Sequence, residues 1–347
     1  VQEKKINILV VEDSAFMRLL ISDILSEDDD LQVIGTANNG LDAVDKVSKL
    51  KPDLVLLDME MGEYDGLFAV REIMKVNPLP IIILSALGNT NLEPIFEALK
   101  AGAIDYINKP KKSNSKMRLM NVELIQKIKS VFYAKPKFTD RKSKTVKAKR
   151  NKDNQAEKYE IIVIGASTGG PSALEEIITT LPDDLNVPVL ICQHMPDSFI
   201  QPFVNRLDSL TELNVVMGEA GMMPKAGKII IAPGHSNMVV KTDKSTEKII
   251  VGFDDKKYSE FNNPSINALM LSVAREYGAK SIGVILTGMG KDGVEGLKAI
   301  KEAGGLTVAQ NKETSVIYGM PKVAMEQNAA SHSLDIKDVS EFITNHL

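Results

Sequence analysis

The stretch YEIIVIGASTGGPSALEEIITTL, Tyr159–Leu181, decides the fold. It opens on the strand-like run Tyr159–Ile164, unbroken and apolar from Ile161, turns through GASTGGP at Gly165–Pro171, and enters Ser172–Leu181 with helically spaced apolar residues. An apolar run without alternation predicts a strand covered on both faces, as in a parallel sheet. Pro171 suits the first turn of a helix, where its missing N–H costs nothing. Working outward, the same alternation recurs. Val187–Cys192 reads as a strand and Ser198–Leu210 as a helix; Val215–Gly218 and Lys228–Ala232 read as strands. Met238–Thr242 and Lys248–Gly252 form a β-hairpin pattern on a polar turn, followed by a helix at Ser265–Tyr277. Ser281–Leu286 (strand), Gly293–Ala303 (helix) and Leu306–Gln310 (strand) complete the series. The pattern predicts a doubly wound, mostly parallel α/β domain over residues 159–347, with its site at the carboxyl ends of the strands.

Upstream, a second α/β series occupies residues 1–133. Strand-like runs at Ile6–Val11, Leu31–Ala37, Leu54–Met59, Ile81–Ala86 and Ala103–Ile107 alternate with helical stretches at Phe16–Ser26, Gly40–Leu50, Gly66–Asn77, Asn91–Ala101 and Lys116–Phe132. Five β/α repeats of this size predict a flavodoxin-like fold with a five-stranded parallel sheet. Between the two series, residues 134–158 are lysine-rich and almost free of aliphatic side chains. Such a segment buries too little surface to offset its ordering entropy, so an extended, flexible linker is expected. Its basic run also admits nucleic-acid contact, but no aromatic interleaving or recognition-helix pattern accompanies it, and no nucleic acid is expected as a partner.

The composition is that of a soluble globular protein: 347 residues, 44% hydrophobic, 25% charged, net charge −4. No apolar run reaches the ~18–20 residues that span a bilayer. The first strand-like run begins at Ile6, which leaves no room for a signal peptide. The single cysteine, Cys192, allows no internal disulfide and reads as a buried small hydrophobe. A cytoplasmic location without membrane insertion follows as the expectation.

Ser167, His194 in QHMP (Gln193–Pro196) and Asp292 in LTGMGKDG (Leu286–Gly293) each follow a strand end. A serine hydroxyl needs a base to take its proton, and an aspartate can hold the base's tautomer. The free N–H groups of the helix start after Ser167 and of the turn Gly288-Met289-Gly290 can receive a developing oxyanion. Two other readings of Ser167 stay open: a helix N-cap or part of a phosphate cradle, although GASTGG does not fit G-x-G-x-x-G.

The upstream domain carries different chemistry. Glu12 and Asp13 end its first strand, and Asp58 ends its third. Neighbouring carboxylates ~4 Å apart repel by ~4 kcal/mol at an effective dielectric of 20. A hard cation with oxygen ligands offsets this, and Mg²⁺ fits. Ser85 and Lys109 end the fourth and fifth strands and face the same edge. The set suits phosphorylation of Asp58, with Ser85 and Lys109 binding phosphoryl oxygens. The alternative is ordinary capping at strand ends with Lys109 a solvated charge.

GASTGGP, QHMP, IAPGH, NNPS, ILTGMGKDG, Gln310 and YGMP (Tyr318–Pro321) together resemble the catalytic domain of the CheB family of chemotaxis protein-glutamate methylesterases across Glu160–Ile343. The resemblance implies Ser167 as nucleophile, His194 as general base and Asp292 as orienting acid, with Met289 and Thr168 at the oxyanion. It implies hydrolysis of glutamyl methyl esters on the cytoplasmic helices of methyl-accepting chemoreceptors, release of methanol, and deamidation of receptor glutamines. VVEDS, LLDMEM, Ser85–Ala86 and YINKP resemble a response-regulator receiver domain over Lys5–Phe132. That resemblance implies Asp58 as phospho-acceptor from a histidine kinase, and Ser85 and Tyr106 as a switch pair. Two positions depart from the family patterns: Asn262 where a histidine is usual, and Gly62 where a proline is usual. His235 reads either as a cleft residue or as a turn residue. Met195, Met223, Met289 and Met320 read either as a cushion for a helical substrate or as core. The expected control is a receiver that restricts the catalytic cleft until Asp58 is phosphorylated. A non-enzymatic phospho-regulated scaffold and a DNA-binding regulator are the competing readings.

Overall fold

Apolar β-branched runs that cannot alternate must be covered on both faces, and the chain meets this demand twice. The computed structural model describes residues 5–85, 92–109, 116–132, 147–148, 158–258 and 264–347. The chain divides into two units, Val1–Lys142 and Ser143–Leu347.

The first unit contains β1 (Ile6–Val11), α1 (Ala15–Ser26), β2 (Leu31–Ala37), α2 (Gly40–Leu50), β3 (Leu54–Asp58), α3 (Gly66–Val76), β4 (Ile81–Ser85), α4 (Glu93–Lys100), β5 (Asp105–Asn108) and α5 (Lys116–Phe132). All strand pairs are parallel, in the order β2-β1-β3-β4-β5. This is the flavodoxin-like order, whose site lies where β1 and β3 diverge. β3 and β4 are wholly buried. Three helices start on side-chain caps that accept a first-turn amide: Ser14 from Met17, Asn39 from Asp42 and Asp65 from Phe68.

The second unit contains β6 (Ile161–Ala166), α6 (Gly170–Thr180), β7 (Val189–Gln193), α7 (Asp197–Asp208), β8 (Asn214–Met217), β9 (Lys228–Ile231), β10 (Asn237–Thr242), β11 (Ile249–Asp254), α8 (Ile266–Tyr277), β12 (Ser281–Ile285), α9 (Val294–Glu302), β13 (Leu306–Gln310), α10 (Met320–Glu326), β14 (His332–Leu334) and α11 (Ile336–His346). Seven strands form one sheet in the order β14-β13-β12-β6-β7-β9-β8, every pair parallel. β10 and β11 make a separate antiparallel ribbon. It packs on α8 through Met238, Val240, Val251 and Leu269, and Val240 N–H donates to Ser272 Oγ at 2.9 Å.

Three differences from the sequence reading have physical causes. The apolar signal stops at Ile164, yet β6 runs to Ala166 because Gly165 and Ala166 pair with Cys192 and Gln193. Ser167 is therefore the first residue beyond the strand. The sequence reading ends its elements at Gln310, whereas α10, β14 and α11 follow. α10 is one of the short helices, β14 is a half-exposed edge strand, and α11 is polar on its outer face, so none shows an apolar run. Finally, most of the linker expected over 134–158 lies outside the described residues. Where it is described, Ala148 N–H donates to the Thr180 carbonyl at 3.0 Å and Lys147 pairs with Asp183.

Candidate active site

Three adjacent strands, β12, β6 and β7, end together at the point where the sheet order diverges from its centre. Backbone hydrogen bonds continue past their ends. Leu286 N–H donates to the Gly165 carbonyl (2.9 Å), Ser167 N–H to Thr287 (3.0 Å) and His194 N–H to Ala166 (3.0 Å). The turn bearing Ser167 is thus clamped on both sides. Ser167 Oγ lies 3.1 Å from His194 Nδ1, and His194 Nε2 lies 2.8 Å from Asp292 Oδ2. A carboxylate only accepts, so in the neutral imidazole Nε2 carries the proton and Nδ1 presents its lone pair to the serine.

Asp292 is buried, and its site is built for an anion. Oδ2 also accepts from Ile266 N–H (2.7 Å); Oδ1 accepts from Asn267 N–H (3.0 Å), Gly293 N–H (3.0 Å) and Ser265 Oγ (3.2 Å). Two of these amides belong to the first turn of α8, whose orphan N–H groups favour negative charge. Burial alone would raise the Asp292 pKa. The hydrogen bond and charge of His194, joined by the Asn267 and Ile266 amides, overcome it and hold the carboxyl below its ordinary range. Close by, burial followed by the Asp292 charge pushes the Cys192 thiol well up, as befits an inert core cysteine.

Thr168 N–H and Met289 N–H have no protein acceptor among the described residues, whereas Gly288 N–H is committed to the Ile317 carbonyl at 3.1 Å. Only part of the Gly288-Met289-Gly290 turn is therefore available to an oxyanion. Thr287 braces these loops: its Oγ1 donates to the Thr168 carbonyl (2.9 Å) and accepts from Ile317 N–H (2.9 Å).

In the first unit, carboxylate oxygens of Glu12, Asp13 and Asp58 lie within 4.8 Å of one another. Lys109 Nζ approaches Asp58 Oδ2 at 2.7 Å and Glu12 Oε2 at 2.9 Å. Apart from that ammonium, neither oxygen has a partner among the described residues. Burial, reinforced by the Asp58 charge, raises the Glu12 carboxyl despite Lys109. Burial by itself would lower the Lys109 ammonium; its two carboxylate partners outweigh this and raise it. Three oxygen donors with excess negative charge fit a hard divalent cation, so the cluster could hold Mg²⁺. Ser85 Oγ is buried and has no hydrogen-bond partner among the described residues, and Tyr106 is buried nearby on β5. Gly62 has φ +72°, a left-handed conformation closed to the proline it replaces in the receiver pattern.

Residues 162–343 match the CheB methylesterase family, and residues 8–120 match the response regulator receiver domain. The chain belongs to the CheB methylesterase family. A protein of Pyrococcus abyssi called protein-glutamate methylesterase/protein-glutamine glutaminase is 38% identical over 345 residues, covering 98% of this chain and 93% of that one. A Thermotoga maritima protein of the same name is 38% identical over 342 residues, covering 98% of each. The crystal structure of the Thermotoga maritima CheB methylesterase catalytic domain is 38% identical, with a TM-score of 0.52. It covers 54% of this chain and 97% of that structure.

Within this CheB chain the other expected positions disperse. His235 is exposed, with Nδ1 2.8 Å from Asp197 Oδ1. Met195 and Met320 are core residues and Met223 is half-buried; of the four methionines read as a substrate cushion, only Met289 is exposed. Asn262 and Ala86 lie outside the described residues. Sequence reasoning missed Ser265, Gln193 and Thr287. Ser265 caps α8, a local signal, but its bond to Asp292 spans 27 residues and has no local signature.

Proposed function

We propose that this chain is a phosphorylation-controlled protein-glutamate methylesterase, also active as a protein-glutamine glutaminase, acting on methyl-accepting chemoreceptors in sensory adaptation. The Ser167–His194–Asp292 relay at the carboxyl edge of the parallel sheet carries this reading. Ser167 Oγ attacks the ester carbonyl carbon while its proton passes to His194 Nδ1. Asp292 holds the imidazole proton on Nε2 and stabilises the imidazolium that forms. The Thr168 and Met289 amides receive the oxyanion. As the tetrahedral adduct collapses, His194 returns the proton to the departing methoxide, releasing methanol. Water, deprotonated by His194, then frees the glutamate carboxylate and restores Ser167. A glutamine substrate follows the same course with ammonia leaving.

In the receiver, Asp58 is the phospho-acceptor, supplied by a histidine kinase. Glu12, Asp13 and Asp58 would hold Mg²⁺, which when bound neutralises charge at the phosphoryl group. Lys109 and Ser85 bind phosphoryl oxygens, and Ser85 with Tyr106 forms the switch pair. The proposed domain limits are 1–133 and 159–347, with a linker over 134–158. Placement in the cytoplasm goes with a receiver domain that takes its phosphoryl group from a histidine kinase; among the described residues no helix is long and apolar enough to cross a membrane.

The test is methanol release from a methylated chemoreceptor fragment, with wild type and Ser167→Ala compared with and without a small phosphodonor and Mg²⁺. Release that requires Ser167 and rises with the phosphodonor is expected. Release indifferent to the phosphodonor would remove the switch; no release at all would favour a scaffold.

A further inference from the structure

Gln193 is the last residue of β7, buried to 2% exposure, and the mechanism above does not use it. Its Nε2 donates to the Ser167 carbonyl at 3.0 Å and to the His194 carbonyl at 2.9 Å. The reverse amide orientation would set its oxygen against two carbonyl oxygens, so the donors are assigned without ambiguity. Oε1 is buried and has no partner among the described residues. It lies against Gly170, where an added Cβ would come within 2.0 Å of it.

The Ser167 carbonyl and the Thr168 N–H belong to one planar trans peptide, so holding the oxygen fixes the direction of the N–H. That oxygen accepts from both Gln193 Nε2 and Gly170 N–H (2.7 Å), which fills its two lone pairs. The plane is thereby locked with its carbonyl inward and the Thr168 N–H on the opposite side. Donation to the carbonyl also polarises the peptide and strengthens the N–H as a donor. We infer that Gln193 is the positioning residue of the oxyanion hole: it aims and polarises the Thr168 amide and, through the His194 carbonyl, ties the backbone of the base to that of the nucleophile. This rests on the serine-esterase reading of the site. Gly170 is glycine because the Gln193 carboxamide occupies the space of its side chain.

The test uses the full chain with Gln193→Met, which keeps length and loses the donor, and Gln193→Glu, which keeps shape. Methanol release gives kcat and KM, and inhibition by phenylboronic acid reports the tetrahedral adduct on Ser167, whose oxygen enters the oxyanion site. A misaimed donor costs on the order of 10²-fold. The expected result is a kcat lower by about 10²-fold in Gln193→Met with KM unchanged, and weaker boronate binding in parallel. If that variant does not fold, Gln193→Glu carries the same comparison, and in wild type the Thr168 amide should shift downfield in NMR on boronate binding. A kcat within threefold of wild type, a KM effect without a boronate effect, or an unmoved Thr168 amide would overturn the inference. Ser167-dependent methanol release by wild type, with unaffected Gln193 variants, would leave the esterase reading standing and sink this one alone. Wild type that neither releases methanol nor binds boronate would end both.

Discussion

Replacing Asp292 by asparagine should stop the chemistry through the tautomer of His194. Asp292 accepts from His194 Nε2, Ile266 N–H, Asn267 N–H, Gly293 N–H and Ser265 Oγ. An asparagine offers one acceptor oxygen and one NH₂. With NH₂ at the Oδ1 position, the Asn267 and Gly293 amides lose their acceptor, at about 1–3 kcal/mol each. With NH₂ at the Oδ2 position, only the Ile266 amide is orphaned, and His194 accepts the NH₂ if its own proton moves to Nδ1. The second arrangement is favoured by about 1–3 kcal/mol, the difference of one orphaned amide. It leaves no lone pair facing Ser167. In the chymotrypsin-type triad, the corresponding change lowers kcat by about 10⁴, or roughly 5.5 kcal/mol of barrier. We expect Asp292→Asn to lose about 10³–10⁴ in kcat with KM little changed, and about 1–3 kcal/mol of stability. Methanol-release kinetics and urea unfolding measure these, and ¹⁵N NMR of the imidazole reads the tautomer. A spectrum that still places the proton on Nε2, or a kcat within tenfold of wild type, would refute the reasoning.

Other perturbations act on separate links. Gly170→Ala forces a Cβ to within 2.0 Å of Gln193 Oε1; overpacking of this kind costs about 1–3 kcal/mol, to be read as a lower urea midpoint of the catalytic unit. Lys109→Met leaves Glu12 and Asp58 without their ammonium, which should destabilise the receiver by about 3–5 kcal/mol. Added Mg²⁺ should then raise its unfolding midpoint more than in wild type; equal shifts would deny that the carboxylates share the cation. Because the Asp292 pKa is depressed below its ordinary value of 3.8, its stabilisation is fully present above that pH and is lost as pH falls through the folded value. The stability gap between wild type and Asp292→Asn should therefore close only on acidification below pH 3.8. Gly62→Ala, at φ +72°, should cost about 1–2 kcal/mol in the receiver; a neutral effect would mean the loop relaxes.

The two α/β series were legible because parallel strands buried on both faces leave unbroken apolar runs, as in Ile81–Leu84 and Val189–Cys192. Strand-end residues were legible too, since glycine-rich turns mark where such runs stop. The sequence by itself thus determined two sheets and placed Ser167, His194, Asp292, Glu12, Asp13, Asp58 and Lys109 at their carboxyl edges. Only the tertiary structure decided which nitrogen of His194 faces the serine, that the start of α8 holds Asp292 as an anion, and that Gln193 grips the peptide of the nucleophile. Those contacts join residues 26 or more positions apart. Local propensity and periodicity act over a few residues, so they carry no record of which strand ends meet. Strand order and register supply that record, through the pairing of Ala166 with Gln193 and of Gly165 with Ile285.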